Sequence, residues 1–210
     1  MIRLLVCDDH EIVRDGIRLV SSETDDIKVI DEAATALDSL EKAVNGNYDV
    51  ILLDISFPDR SGLDVLKDLL IQRPNAKVLI LSMHPEDQYA IRALKTGAYG
   101  YLTKSSASRE LTTAIRKVAG GNKYITLSIA ERIASVLEPG NRRKPHEQLS
   151  DREYEVMCLL GTGSTVNEIA RILLLSPNSV KTYRTRVQKK MAFKNNADLV
   201  RYVIENCSPS

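Results

Sequence analysis

The chain has 210 residues, 29 of them basic and 28 acidic, with 43% hydrophobic and 27% charged residues, which excludes a disordered or fibrous protein and suits one large or two small domains, each with its own core. A net charge of +1 gives the whole chain no bias toward nucleic acid or acidic surfaces. Apolar runs such as Val50–Leu53 and Val156–Leu160 fall far short of the ~18 residues that span a bilayer, and no signal-peptide pattern opens the sequence, so a cytoplasmic protein without a membrane partner is expected.

Cys7, Cys158 and Cys207 show neither CxxC nor Cys/His spacing, so inert thiols are expected rather than disulfides or a zinc site. Split by position, the charge is far from neutral. Residues 1–120 hold 15 Lys/Arg against 19 Asp/Glu, whereas residues 121–210 hold 14 basic residues against 9 acidic. Such asymmetry predicts two domains with different partners, the basic one facing nucleic acid.

In chain order, short Val/Ile/Leu-rich runs near Arg3–Cys7, Lys28–Asp31, Val50–Leu53, Lys77–Leu81 and Gly100–Leu102 read as strands. Between and after them, Glu11–Ser22, Leu37–Asn45, Gly62–Gln72, Pro85–Thr96 and Ser108–Ala119 read as amphipathic helices. Five strands alternating with five helices predict a doubly wound α/β domain with a five-stranded parallel sheet. In such folds the functional groups gather at the carboxyl ends of the strands. Those ends carry Asp8 and Asp9, Asp54, Ser82 and, two residues past the fifth strand, Lys104.

Three carboxylates on one rim repel unless a cation neutralises them. Oxygen-only ligands suit a hard cation, and Mg²⁺ fits better than zinc. Metal and ammonium together neutralise charge on a transferring phosphoryl group, while an in-line carboxylate accepts it as an aspartyl phosphate. Asp54, ending the central strand, is the expected nucleophile. A single Asp at a strand end is usually a helix N-cap, and Asp9 before Glu11–Ile12–Val13 fits that reading; the set in strand order, with a Ser and a Lys, reads as a site. Tyr101 alone reads as a half-buried strand aromatic. His10 and His84 border the cluster as rim side chains rather than metal ligands.

A helix over Ile125–Leu137, with Ile125, Ile129, Ile133 and Leu137 at i, i+4 spacing, is expected to join the domains and to cover a surface in an inactive form. From Glu138 to Gln148 the chain reads EPGNRRKPHEQ, a flexible linker. Beyond it, Asp151–Gly161, Val166–Leu174, Asn178–Met191 and Asn196–Asn206 read as four short helices. Ser150 with Glu153 forms a capping-box pattern, and Ser176–Pro177 suits a helix start. The Leu175–Ser176–Pro177 turn between two helices is the helix-turn-helix order.

On the third of these helices, Val180, Tyr183, Val187 and Met191 share one face, and Asn178, Lys181, Thr182, Thr185, Gln188 and Lys189 share the other. From Lys181 to Lys194 there are six Lys/Arg and no acidic residue. The apolar stripe is narrow and needed for packing, so double-stranded DNA is favoured over a membrane surface. Arg184, Arg186 and Lys190 would bind phosphates, while Lys181, Thr182, Thr185 and Lys189, with Asn178 near the helix start, are placed to read base edges.

The stretches LLVCDDHEIVRDGI, DVILLDISFPDRSGLDVL, VLILSMHPEDQYAIRALKTGAYGYLTK and LSDREYEVMCLLGTGSTVNEIARILLLSPNSVKTYRTRVQKKM resemble bacterial two-component response regulators of the NarL/FixJ class. These join a CheY-like receiver to a LuxR-type helix-turn-helix. The YRTR wording, with Tyr183 in place of the family's usual histidine, is similar to the GacA/UvrY-like branch. The resemblance implies that Asp54 accepts a phosphoryl group from a sensor histidine kinase. Asp9, Asp54 and the Ser56 backbone carbonyl would hold Mg²⁺ directly, with Asp8 acting mostly through water. Ser82 would be the switch hydroxyl, Tyr101 the aromatic that swings inward, and Lys104 the phosphate-pairing ammonium. The family's peptide after that lysine is commonly cis; before Ser105 a cis bond costs about 3–4 kcal/mol. After Asp54 the loop reads PDRSG through Asp59, Arg60 and Ser61, with Phe57 in place of the family's usual methionine before the proline, and the resemblance implies a phosphoryl lifetime sensitive to Ser56 and His84. Leu199, Val200, Val203 and Ile204 on the last helix serve core packing or, as the resemblance implies, a homodimer contact when phosphorylated.

The expected organisation is a receiver over 1–120, a linker helix and flexible linker over 121–148, and a DNA-binding domain over 149–210. The expected protein is a phosphorylation-controlled transcriptional regulator and no enzyme beyond its own phosphorylation and dephosphorylation. A constitutive DNA-binding regulator is the alternative. An aspartate-nucleophile hydrolase needs a second carboxylate two residues after the nucleophile, where this chain has Ser56.

Overall fold

The computed structural model describes residues 1–58, 60–83, 86–137, 145–173 and 175–206. They form two compact units, residues 1–137 and 138–210.

The first unit is a five-stranded parallel sheet in the order β2-β1-β3-β4-β5. Its elements are β1 (Ile2–Cys7), α1 (Glu11–Ser22), β2 (Ile27–Ala33), α2 (Ala36–Asn45), β3 (Val50–Leu53), α3 (Gly62–Gln72), β4 (Val78–Ser82), α4 (Glu86–Thr96), β5 (Gly100–Thr103), α5 (Ala107–Ala119) and α6 (Leu127–Leu137). All residues of β3 and β4 are buried, as expected for central parallel strands covered by helices on both faces. Leu4, Val6, Leu52, Leu79 and Leu81 meet Leu111, Ile115 and Val118 of α5 in one core cluster. β2 runs two residues past its expected end at Asp31: a register shift between Leu4 and Leu5 lets Val6 and Cys7 pair with Glu32 and Ala33. Pro85, the expected start of α4, lies outside the described residues.

Past α5 the chain stays on this unit. The Tyr124 amide donates to the Tyr99 carbonyl at 2.7 Å, and Tyr124 bridges Gly100 in parallel along the outer edge of β5. Its hydroxyl donates to Glu110 of α5 at 2.5 Å, and Thr126 donates to Glu86 of α4 at 2.6 Å. This pairing displaces the start of α6 from Ile125 to Leu127. α6 packs on α4 with Ile129 buried, so residues 121–137, read from the sequence as a joining segment, lie with the first unit.

The second unit opens with a short 3-10 turn, Pro145–Gln148, followed by α7 (Asp151–Gly161), α8 (Val166–Ile172), α9 (Pro177–Met191) and α10 (Asn196–Asn206). Capping boxes at Ser150/Glu153 and Thr165/Glu168 start α7 and α8, and Ser176 with Pro177 starts α9. α9 stops at Ala192, whose left-handed φ of 56° turns the chain. Tyr154, Met157, Ile169, Val180, Val187, Leu199 and Val203 form the core. His146 in the opening turn bonds the Tyr202 hydroxyl of α10 at 2.9 Å. Leu174, expected at the end of α8, and Cys207 lie outside the described residues, as do residues 138–144 of the expected linker. No helix among the described residues is long and apolar enough to cross a membrane.

Candidate functional site

At the carboxyl rim of the sheet, β1 delivers Asp8 and Asp9, β3 delivers Asp54, and the residue after β5 is Lys104. Carboxylate oxygens of Asp8, Asp9 and Asp54 and a ring nitrogen of His10 lie within 4.8 Å of one another. Lys104 Nζ is 2.7 Å from Asp8 Oδ2 and 2.7 Å from Asp54 Oδ2, its side chain only 7% exposed. Burial alone would push this ammonium down, but the Asp54 and Asp8 carboxylates outweigh it and hold its pKa above the ordinary lysine value of 10.5. The Lys104 amide also donates to the Ser82 carbonyl at 2.7 Å, which ties the ends of β4 and β5.

One ammonium faces three carboxylates, a formal surplus of two negative charges. Asp8 Oδ2 and Asp9 Oδ1 are shut off from solvent: the first meets the Lys104 ammonium at 2.7 Å, the second lies 2.8 Å from His10 Nδ1. Shielded carboxylate oxygens gathered within 4.8 Å of one another, with one ammonium for three carboxylates, fit a hard divalent cation. His10 is 57% exposed, at the rim of the cluster. His10, not Asp9, is the N-cap of α1, without a side-chain cap bond, and Asp9 stays with the carboxylate cluster. The His10 amide donates to Asp8 Oδ1 at 2.9 Å.

The other expected residues occupy distinct places. The Ser56 amide donates to Asp54 Oδ1 at 3.2 Å, and Ser56 bridges Ser61 across the loop leading to α3. Ser82 is buried at the end of β4, in register with Thr103. Tyr101 is fully buried rather than half-buried and pairs with Ile80 one layer below the rim. The Lys104–Ser105 peptide is trans. Phe57 is buried; Asp59 and His84 lie outside the described residues. Burial pushes the Cys7 thiol up to about 12, so it stays protonated at neutral pH, and Cys158 is half-buried and forms no disulfide among the described residues.

Two residues important to this geometry escaped the sequence reading. Gly62, the first residue of α3, presses so closely on the Asp54 backbone that a Cβ there would lie 1.9 Å from the Asp54 carbonyl oxygen. Arg14 of α1 donates from Nη1 to the Asp8 carbonyl at 2.8 Å. The Ser-Gly pair at a helix start hinted at the first; no local signal announced the second.

In the second unit, α9 buries Val180, Val187 and Met191 and half-buries Tyr183 and Arg184, while Asn178, Lys181, Thr182, Thr185, Arg186, Lys189 and Lys190 are exposed. The Thr182 and Thr185 hydroxyls donate to the carbonyls of Asn178 and Lys181, each at 3.0 Å. They therefore offer an outside molecule methyl groups and acceptor lone pairs. The Arg186 guanidinium lies 5.9 Å from the Tyr183 ring centre. Lys190 is engaged internally: its Nζ donates to Glu153 Oε2 at 2.6 Å, the carboxylate oxygen that also accepts the Ser150 amide.

Burial raises the Glu153 pKa, but the bonds from Lys190 and Ser150 more than offset this and hold it below the ordinary value of 4.5. A depressed carboxylate contributes stability that is complete above its unfolded pKa and lost as pH falls through the folded one. Thermal melts of the wild type and Lys190→Gln should therefore differ by a few degrees at pH 7, on the order of 1 kcal/mol for a half-exposed pair. The difference should shrink on acidification from pH 5 to pH 3; a constant gap would show that Lys190 acts only through packing.

Residues 4–116 match the family described as response regulator receiver domain, and residues 147–203 match the bacterial regulatory proteins of the luxR family. The chain is 35% identical over 207 residues to the response regulator UvrY of Escherichia coli K12, covering 98% of this chain and 95% of that protein. It is 36% identical over 200 residues to the response regulator GacA of Pseudomonas viridiflava, covering 95% and 94%. Among solved structures, RcsB from Salmonella enterica serovar Typhimurium, bound to the rprA promoter in the presence of the phosphomimetic BeF3−, superposes with a TM-score of 0.65 at 22% identity over 97% of this chain and 99% of that one. That likeness concerns the fold.

Proposed function

Because the chain belongs to the two-component response regulators that join a receiver domain to a LuxR-type DNA-binding domain, we propose that it is a phosphorylation-controlled transcriptional regulator acting in the cytoplasm, with Asp54 as phosphoacceptor. The observation that carries this reading is the buried Lys104 ammonium 2.7 Å from both Asp8 and Asp54, inside a carboxylate cluster with surplus negative charge.

In this proposal a sensor kinase's phosphohistidine is the donor. The P–N bond to the imidazole breaks as an Asp54 carboxylate oxygen forms the new P–O bond, and the imidazole leaves with the electron pair of the broken bond. Asp9, Asp54 and the Ser56 carbonyl would hold Mg²⁺ directly and Asp8 mostly through water, and the bound ion would offset charge on the phosphoryl oxygens. Lys104 is already at the Asp54 carboxylate and needs only to shift its contact to a phosphoryl oxygen. The Ser82 hydroxyl, at the end of the neighbouring strand, is the second donor for that group. Tyr101, buried and paired with Ile80 one layer below the rim, is the aromatic whose inward position the phosphoryl group favours. Ligand-biased populations of this kind gain no more than the phosphate's preference for one state.

The output is homodimerisation through α10, where Val200 and Ile204 lie outward of the buried Leu199 and Val203, and binding of promoter DNA. Lys181, Thr182, Thr185, Lys189 and Asn178 face the base edges, with Arg184 and Arg186 on phosphates. Lys190 reaches a phosphate only by sharing or leaving Glu153. RcsB bound to promoter DNA supports DNA as the partner. The protein turns over no other substrate.

The deciding experiment incubates the wild type and Asp54→Asn with acetyl phosphate and Mg²⁺. Phosphoryl incorporation is measured together with affinity for genomic DNA fragments recovered by selection on the protein. Incorporation should be lost in Asp54→Asn, and DNA affinity of the wild type should rise at least severalfold. Equal incorporation in both proteins overturns Asp54 as acceptor. Incorporation without any change in DNA affinity favours a constitutive DNA-binding regulator.

A further inference from the structure

β1 ends at Cys7, and Asp8 and Asp9 just beyond it both bring an oxygen into the same cluster, where continued strand geometry would send them to opposite faces. The backbone therefore turns between them. β2 ends at Ala33, whose carbonyl takes the Asp8 amide at 3.0 Å, and no strand continues beyond it to satisfy the Asp8 carbonyl. A backbone acceptor left behind at a strand end must find another donor. It finds Arg14, whose Nη1 donates at 2.8 Å.

The guanidinium is fixed from its other side as well. Arg14 Nε donates to Glu32 Oε2 at 3.1 Å, and the Arg14 side chain is only 15% exposed. Glu32 of β2, Arg14 of α1 and the carbonyl at the end of β1 thus form one bridge across three elements. A planar guanidinium holds two acceptors at a set angle; a lysine ammonium offers one flexible point. Arg18, one turn further along α1, supplies a natural control: it donates to the other Glu32 oxygen, Oε1, at 2.9 Å and pairs with Asp15 at 2.9 Å.

We propose that Arg14 is a positioning residue for the cation site: by bridging Glu32 to the Asp8 carbonyl it sets the Asp8–Asp9 peptide so that both carboxylates face the ion. This rests on the reading of Asp8, Asp9 and Asp54 as a Mg²⁺ site. Groups that orient metal ligands typically contribute 10–100-fold in affinity. The effect belongs to ion binding rather than to the transfer step.

The test is calorimetric titration of the full chain with MgCl2, in the wild type, Arg14→Lys, Arg14→Gln, Glu32→Gln and Arg18→Gln, with circular dichroism melts to verify folding. Both Arg14 variants should raise the Mg²⁺ dissociation constant roughly tenfold or more. Glu32→Gln should raise it less, and Arg18→Gln should leave it within about twofold. Phosphoryl uptake from acetyl phosphate should show the same split, a higher half-saturating Mg²⁺ with a nearly unchanged maximal rate. If the Arg14 variants fail to fold, Glu32→Gln against Arg18→Gln decides. Wild-type affinity in Arg14→Lys shows that charge alone matters and overturns the positioning role, as does an equal effect of Arg18→Gln. A wild type that binds no Mg²⁺ overturns the metal reading itself, and this inference with it.

Discussion

Gly62→Ala is expected to lower the melting temperature of the receiver by roughly 10 °C or more and to slow phosphorylation of Asp54. The first turn of α3 lies directly against the loop that carries Asp54: the Gly62 amide donates to the Ile55 carbonyl at 2.7 Å, and an added Cβ would sit 1.9 Å from the Asp54 carbonyl oxygen and 2.8 Å from Ile55 Cα. All of these obstacles are backbone, which cannot rotate aside as a side chain does. Either the loop carrying Asp54 or the start of α3 must move by more than an ångström, at the upper end of the range for overpacking, about 3 kcal/mol or more. At a few degrees per kcal/mol this gives the expected shift. Calorimetry of the full chain, with phosphoryl uptake alongside, is the check; a melting temperature within 2–3 °C of the wild type would show that the loop yields easily.

Lys104→Gln is expected to slow phosphoryl uptake by about 10–100-fold, since a hydrogen bond from a charged donor is worth ~1.5–3 kcal/mol and each 1.4 kcal/mol is tenfold in rate. Its second signature separates charge from packing. The Lys104 ammonium touches two nearly solvent-free carboxylates, and removing it leaves them uncompensated, which is costly in a buried site. In Mg²⁺-free buffer the variant should melt below the wild type, and Mg²⁺ should restore more stability to it than to the wild type. The elevated Lys104 pKa means that this pairing is complete at neutral pH and is lost only as pH rises through the folded value, above that of free lysine. Unchanged uptake in the variant would remove Lys104 from the transfer step.

The rim could be anticipated because it follows from period and topology. Apolar runs of strand length place Asp8, Asp54 and Ser82 at strand ends, and the doubly wound rule gathers strand ends on one edge. The faces of α9 were legible for a similar reason, since helical period alone separates Val180 and Val187 from Lys181 and Thr185. What stayed hidden depends on backbone atoms and distant partners. Arg14 finds Glu32 eighteen residues away and a carbonyl that no side-chain pattern reveals. For Asp9 taken singly, cap and ligand are both open, and the geometry gives the cap position to His10. Lys190 belongs to a basic run, yet its nearest obligation is to the capping-box carboxylate of another helix. Nothing in the composition of residues 122–126 announces that they lie along β5.

That last segment bears on association as well as on signalling. A strand at the border of a sheet offers a row of open amides and carbonyls on which other chains can pair, and proteins guard such borders. On the β5 side the guard is Tyr124, paired to Tyr99 and bridged to Gly100, its phenol kept protonated by burial and by the Glu110 carboxylate. The stretch that leads toward the DNA-binding domain thereby caps the sheet against adventitious strand addition, so the receiver's resistance to aggregation resides partly in residues beyond α5, the last helix of its α/β repeat.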